Sequence, residues 1–132
     1  MNKVMLEGNL GHDVTEEDVR ETQQGVPVIN FRICTNTYYK GQDGTTKSRP
    51  EWHRITMFGN RSANEKILRR LKKGALLFVE GELRTTSWED QDGIKCYTTE
   101  VRVGHDANCF RIVKDAQPRP EAADSDGDQD VF

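Results

Sequence analysis

Glu51-Trp52-His53-Arg54-Ile55-Thr56-Met57-Phe58-Gly59 alternates with a period of two, and the alternation is of an unusual kind. Trp52, Arg54, Thr56 and Phe58 share one face of a strand. His53, Ile55 and Met57 share the other. An ordinary half-buried strand hides its aromatics on its aliphatic face. Here two aromatic rings stand with an arginine, opposite the aliphatic pair. The stretch therefore reads as a strand with Ile55 and Met57 in a core and a surface of flat rings and positive charge on its back.

The flanking sequence repeats the strand signal. Val4, Leu6 and Leu10 alternate with Lys3, Glu7 and Asn9 in a first strand that ends near Gly11. A polar segment over 12–25 follows. Ile29, Phe31 and Ile33 oppose Asn30, Arg32 and Asn36 in a second strand that runs toward Tyr39. Residues 40–50 read as a basic loop carrying Lys40, Lys47 and Arg49, with Asp43-Gly44 as its turn. The segment 61–73 is the helix candidate. Ser62 and Glu65 have the spacing of a capping box, Ile67, Leu68 and Leu71 form a stripe, and Gly74 ends it. The basic residues around Glu65 read as a solvated helix face. A fourth strand, 76–83, continues so that Arg84, Thr86 and Trp88 share a face. Asp92-Gly93 turns into a fifth strand over 94–103, and a short last strand covers 109–113. Five strands with one helix between the third and fourth is the element order of an OB-fold barrel, which binds single strands or sugars on one open face.

Composition bounds the alternatives. The chain has 132 residues, 34% of them hydrophobic, enough for one domain and a short appendage. It contains no apolar run of membrane-spanning length. Glu7 interrupts any early hydrophobic run, and the three cysteines, Cys34, Cys96 and Cys109, are odd in number and far apart. A reducing, cytoplasmic setting without a disulfide framework is the expectation. The net charge of −3 conceals a division. Residues 1–114 hold 18 basic against 16 acidic residues, or +2; residues 115–132 hold one against six, or −5. The domain is expected over 1–113. An acidic segment over 114–132, too poor in branched aliphatic and aromatic residues to order itself, should follow it. That segment ends in Asp130-Val131-Phe132, an apolar tip that solubility alone does not require.

Binding a single strand needs cations for the backbone and rings for the bases. Trp52 with Arg54 and Phe58, and Trp88 with Arg84, supply both, and Tyr38 and Tyr39 lead into the basic loop. Phe31, Phe78 and Phe110 lie among aliphatics and read as core. Enzyme signatures are poor: no GxSxG, P-loop or GxGxxG occurs. Glu89, Asp90 and Asp92 could hold a divalent cation for a nuclease, but they flank a glycine turn, where acidic residues serve the turn itself. No cofactor or metal site is expected, since His12, His53 and His105 have no ligand spacing with the cysteines.

Taken in order, several segments resemble one family. Asn2-Lys3-Val4-Met5-Leu6-Glu7-Gly8-Asn9-Leu10-Gly11, Val28 to Asn36, Glu51 to Gly59, Leu71-Lys72-Lys73-Gly74, Val79 to Thr85, Trp88 to Gly93 and Tyr97 to Val101 are similar to bacterial-type single-stranded DNA-binding proteins over about residues 1–113. The resemblance implies an OB-fold homotetramer that binds and protects single-stranded DNA in replication, recombination and repair. It also implies a cytoplasmic, nucleoid-associated location. It places the stacking aromatics on Trp52, Phe58 and Trp88, with Tyr39 where the family usually has tryptophan, and a subunit contact at His53. Backbone contacts fall to Arg54, Arg84, Lys40, Lys47 and Arg49. Partner proteins of replication and repair would dock on the tip, through Asp126, Asp128, Asp130, Val131 and Phe132. This chain departs from the family in a longer 12–24 segment and in a tip without the usual Ile-Pro-Phe. Two other readings stay open at this point: an accessory replication factor of primosome type acting through protein contacts, and a metal-dependent nuclease.

Overall fold

Ile55 and Met57 are fully buried, and so are the inward residues of the strands where they run around the barrel. The protein is a computed structural model that describes residues 1–118. Its strands are β1 (Val4–Leu10), β2 (Arg20–Glu21), β3 (Pro27–Lys40), β4 (Thr46–Phe58), β5 (Leu76–Glu89), β6 (Lys95–Val103) and β7 (Phe110–Lys114), with one α-helix, α1 (Glu65–Leu68). The order β1-β3-β4-β6-β5 returns to β1 through the β1–β5 pairing, so five strands close into an OB-fold barrel. β2 adds to the edge of β3, and β7 adds to β5. Every pairing is antiparallel except β4 with β6, which is parallel over Ile55↔Val101, Thr56↔Arg102 and Met57↔Val103. Leu10, Ile29, Ile33, Leu77, Val79 and Val103 fill the interior with them, all fully buried.

The barrel strands fall where the alternation predicts them, and the connections differ. Residues 46–50 belong to β4 and not to a loop: β3 and β4 pair without a slip from Val28↔Phe58 out to Lys40↔Thr46. The turn is confined to 41–45, where Gly44 takes φ +83° and Asp43 accepts from the Thr45 amide and hydroxyl. Charge and threonine content suggested a loop, but backbone pairing with the Tyr38 arm wins because a long two-stranded arm satisfies its own amides. The 12–25 segment is anchored as well. Val14 is buried and its amide donates to Leu71 O at 2.8 Å.

The helix is shorter than its periodicity predicts. A 3-10 turn over Asn60–Ala63 precedes α1, and only Glu65–Leu68 is α-helical. Ser62 is not the cap: it is buried, and its hydroxyl donates to Met57 O at 2.8 Å. Asn64 caps instead, its Oδ1 accepting from the amides of Lys66 and Ile67. The stripe survives, with Leu68 and Leu71 in the core. Arg61 is not part of a solvated face. Its guanidinium donates to the carbonyls of Gly104 and Asp106 and lies over the Phe110 ring, 5.7 Å from its centroid. Phe78 is also displaced from its expected place. It points outward, half-buried, with Arg111 at 5.2 Å from its ring, because β5 carries Leu77 and Val79 inward. Contacts with the body continue past 113: Asp115 receives a two-pronged contact from Arg70, at 2.7 and 3.2 Å.

Asn64→Ala should cost about 1 kcal/mol in a urea titration, the usual loss of a helix cap. Glu65→Ala should cost much less. Equal losses would restore the Ser62–Glu65 capping box.

Candidate nucleic-acid interface

The parallel pairing of β4 with β6 lasts three residues, and beyond it the two strands separate. Each belongs to a hairpin arm, β3–β4 on one side and β5–β6 on the other. The divergence opens a groove on the outward face. One part of it, about 530 Å³, is lined by Arg32, Arg54, Thr86, Thr98 and Glu100. A second part, about 340 Å³, lies between Trp52, Arg32 and Arg54 on one wall and Tyr97, Thr98 and Thr99 on the other.

The register explains which side chains meet there. On β4 the even positions face out, so Trp52, Arg54, Thr56 and Phe58 form a row. Their cross-strand neighbours on β3 are Cys34, Arg32, Asn30 and Val28. On β5 and β6 the outward pairs are Glu82↔Arg102, Arg84↔Glu100, Thr86↔Thr98 and Trp88↔Cys96. Trp52 is 49% exposed and Trp88 52%, so each tryptophan presents ring surface to water. Trp88 is aimed by a hydrogen bond from its indole N–H to the Thr98 hydroxyl, 3.1 Å. Phe58 is half-buried, with the Arg102 guanidinium 5.9 Å from its ring centroid.

A polar network crosses the floor of the groove. The Thr56 hydroxyl lies 2.6 Å from Glu100 Oε2 and 2.7 Å from Asn30 Oδ1, and Arg102 Nε donates to Glu100 Oε1 at 2.9 Å. Desolvation pushes the Glu100 carboxyl up. The Thr56 hydroxyl, Arg102 and Arg54 outweigh it and hold the group below the ordinary glutamate range. On the rim, Arg84 approaches Glu82 at 3.7 Å.

Residues 1–107 match the single-strand binding protein family. The chain belongs to that family. Among its relatives, Single-stranded DNA-binding protein 1 of Xylella fastidiosa is 40% identical over 102 residues, 76% of this chain and 71% of that one. The Single-stranded DNA-binding protein of Rhizobium meliloti is 39% identical over 102 residues, but the match spans only 56% of its length. Among solved structures, the Plasmodium falciparum SSB complex with ssDNA superposes with a TM-score of 0.68 at 27% identity, covering 86% of this chain and 94% of that one.

This member of the single-strand binding protein family distributes its expected site residues over two surfaces. Trp52, Arg54, Phe58, Arg84 and Trp88 share the outward face. Tyr39, Lys47 and Arg49 do not join them. The unbroken register sets them on the other side of the β3–β4 ribbon, where Arg49 lies over the Tyr39 ring at 5.2 Å. Lys40 and Tyr38 are on the Trp52 side. His53 also points away from the groove, and its Nε2 is 2.7 Å from the Thr35 hydroxyl of the same chain. Tyr97 is a groove residue that alternation assigns to the core face with Val101 and Val103. It is 66% exposed because the β5–β6 arm runs past the end of the barrel. Its place beyond the last aliphatic of that face was the signal. Asp90 serves its turn, accepting from the amides of Asp92 and Ile94. Among the described residues no three His, Cys, Asp or Glu side chains cluster as a metal site. The tail residues Asp126, Asp128, Asp130, Val131 and Phe132 lie outside the described residues.

A carboxylate held below its ordinary range stabilises the fold above that range and loses the contribution as pH falls through its lowered value. Glu100 starts near 4.5 in an unfolded chain. Urea midpoints should therefore fall more steeply for the parent than for Glu100→Gln as pH drops from about 4.5 to about 3. Parallel acid limbs would remove Glu100 from the stabilising network.

Proposed function

We propose that the protein binds single-stranded DNA without sequence preference and without catalysis. Bases stack on the exposed rings, and arginines meet the phosphates. The observation that carries the reading is the open groove with Trp52, Arg32 and Arg54 on one wall and Tyr97 on the other, and with Trp88 exposed on the same arm as Tyr97. A groove open along its length suits a polymer, and rings stack on any base, whereas arginine alone would favour any polyanion. The family and the single-stranded DNA named for its relatives support the same ligand. Tyr39, Lys40, Lys47 and Arg49 would extend the contact along the β3–β4 ribbon as the strand passes around it. In this reading the protein coats and protects single strands during replication, recombination and repair, in the cytoplasm, as a homotetramer to which His53 contributes a subunit contact. The family resemblance of the sequence supports these last roles.

Trp52→Ala and Trp88→Ala should each weaken oligo-dT binding by about 1–3 kcal/mol, the usual loss for one base–aromatic stack. The logarithm of the affinity should fall with log salt by about 0.7 per phosphate contacted. Folded tryptophan variants that bind like the parent, or a flat salt response, would refute the groove as the DNA site.

The acidic tail supports a second role, recruitment of partner proteins. Phe132 offers a ring for an apolar pocket while Asp126, Asp128 and Asp130 meet a basic rim. Phe132→Ala should abolish capture of replication and repair proteins while leaving DNA affinity unchanged. Retention of every partner would reduce the tip to a solubility element.

A further inference from the structure

Five glycines, Gly25, Gly44, Gly59, Gly74 and Gly93, take a positive φ that explains them. Gly11 does not. Its backbone is one that any residue adopts, and the reason for a glycine there is steric. A Cβ built on Gly11 would lie 2.5 Å from Trp52 Cζ3, 3.0 Å from Cη2 and 3.5 Å from Cε3. The benzo ring of the indole thus lies on the bare Cα of Gly11. We infer that Gly11 is the positioning residue of Trp52: the seat that holds the half-exposed ring against the barrel at the edge of the groove.

The seat is rigid. The Gly11 amide donates to Arg32 O at 3.0 Å on the neighbouring strand. Leu10, before it, is fully buried and held at both backbone groups, to Ala75 O at 2.8 Å and from the Gly74 amide at 2.9 Å. After it, Asp13 accepts from the Lys73 amide at 2.8 Å and Val14 is pinned in the core. The chain at 11 cannot retreat from an added methyl group. Trp52, half exposed, can. An alanine at Gly11 therefore moves the ring and leaves the barrel standing. Gly8 and Gly81 differ in kind. A Cβ at either meets the backbone of a neighbouring strand, at Cys34 and Arg102, so those glycines serve barrel closure. Gly11 alone of the three has a groove ring as its neighbour.

The inference rests on Trp52 stacking with DNA, and the test separates the two claims. In full-length Trp88→Phe protein, Trp52 is the sole tryptophan. Adding Gly11→Ala to it should change acrylamide quenching of Trp52 before any DNA is present. Unchanged quenching overturns the seat, whatever the protein binds. Against oligo-dT, Gly11→Ala in the otherwise native chain should lose about fivefold or more in affinity, the low end for one base–aromatic stack. Its melting temperature should stay within a few degrees of the parent. The same change in a Trp52→Phe background should cost less than about twofold, because a phenyl ring does not reach the three atoms that the methyl would strike. An equal loss in both backgrounds overturns the proposal. Should Gly11→Ala fail to fold, Gly11→Ala with Trp52→Phe decides: recovery of the fold confirms the ring as the obstacle, and continued failure makes Gly11 a requirement of the backbone. Normal quenching changes with unaltered affinity in Trp52→Ala would instead refute stacking at Trp52 while leaving the seat intact.

Discussion

Three residue pairs, Ile55↔Val101, Thr56↔Arg102 and Met57↔Val103, turn a curved sheet into a closed barrel. They form its one parallel contact, and the groove is a direct consequence of their number. A longer parallel pairing would zip β4 and β6 together along their length and bury the space between the hairpin arms. With three pairs the inward side chains are buried almost completely, and the strands are then released to diverge. Closure removes the exposed edges a strand-rich chain would otherwise present. The release supplies a cleft whose two walls belong to different hairpins. Thr56, at the middle pair, is held by Asn30 and Glu100, so the end of the groove is tied by side chains as well as by backbone.

The period-two pattern made the barrel legible, because a strand with one buried face has to alternate. It also identified the outward row from Trp52 to Phe58 and the pair Arg84 and Trp88, since aromatic residues opposite aliphatics have no core to enter. The pattern failed where strands leave the barrel. Tyr97 continues the inward face of β6 but lies beyond the interior it would fill, and Phe78 sits among aliphatics in sequence while facing outward under Arg111. Alternation states which residues share a face. It does not state where the interior ends. The helix shows a different limit. Ser62 and Glu65 satisfy the spacing of a capping box, yet the buried Met57 carbonyl takes the Ser62 hydroxyl, and the turn that results hands the cap to Asn64. A tertiary hydrogen bond to a buried acceptor outranks a local motif, because leaving that acceptor empty costs more than moving a cap by two residues.

Membership of the single-strand binding protein family accounts for the fold and for the kind of ligand, and the details of this chain modify how the ligand is held. The outward face is not simply basic. Arg102 is paired with Glu100 at 2.9 Å and Arg84 with Glu82 at 3.7 Å. Two of its four arginines therefore carry their own counter-charge, and the described body up to Lys114 has a surplus of only two. A face so nearly balanced attracts a polyanion weakly at long range. On the proposed reading its affinity comes from contacts made after arrival, with Trp52 and Tyr97 offering ring surface on the two walls. Stacking gains little from charge and loses little to salt, whereas a phosphate contact releases counterions and weakens as salt rises. The Glu100 carboxylate fits this division. It fixes Arg102 beside Phe58 and lowers the net charge of the groove floor, which on the proposed reading leaves the rings, and the glycine on which one of them rests, to govern how tightly a base is held.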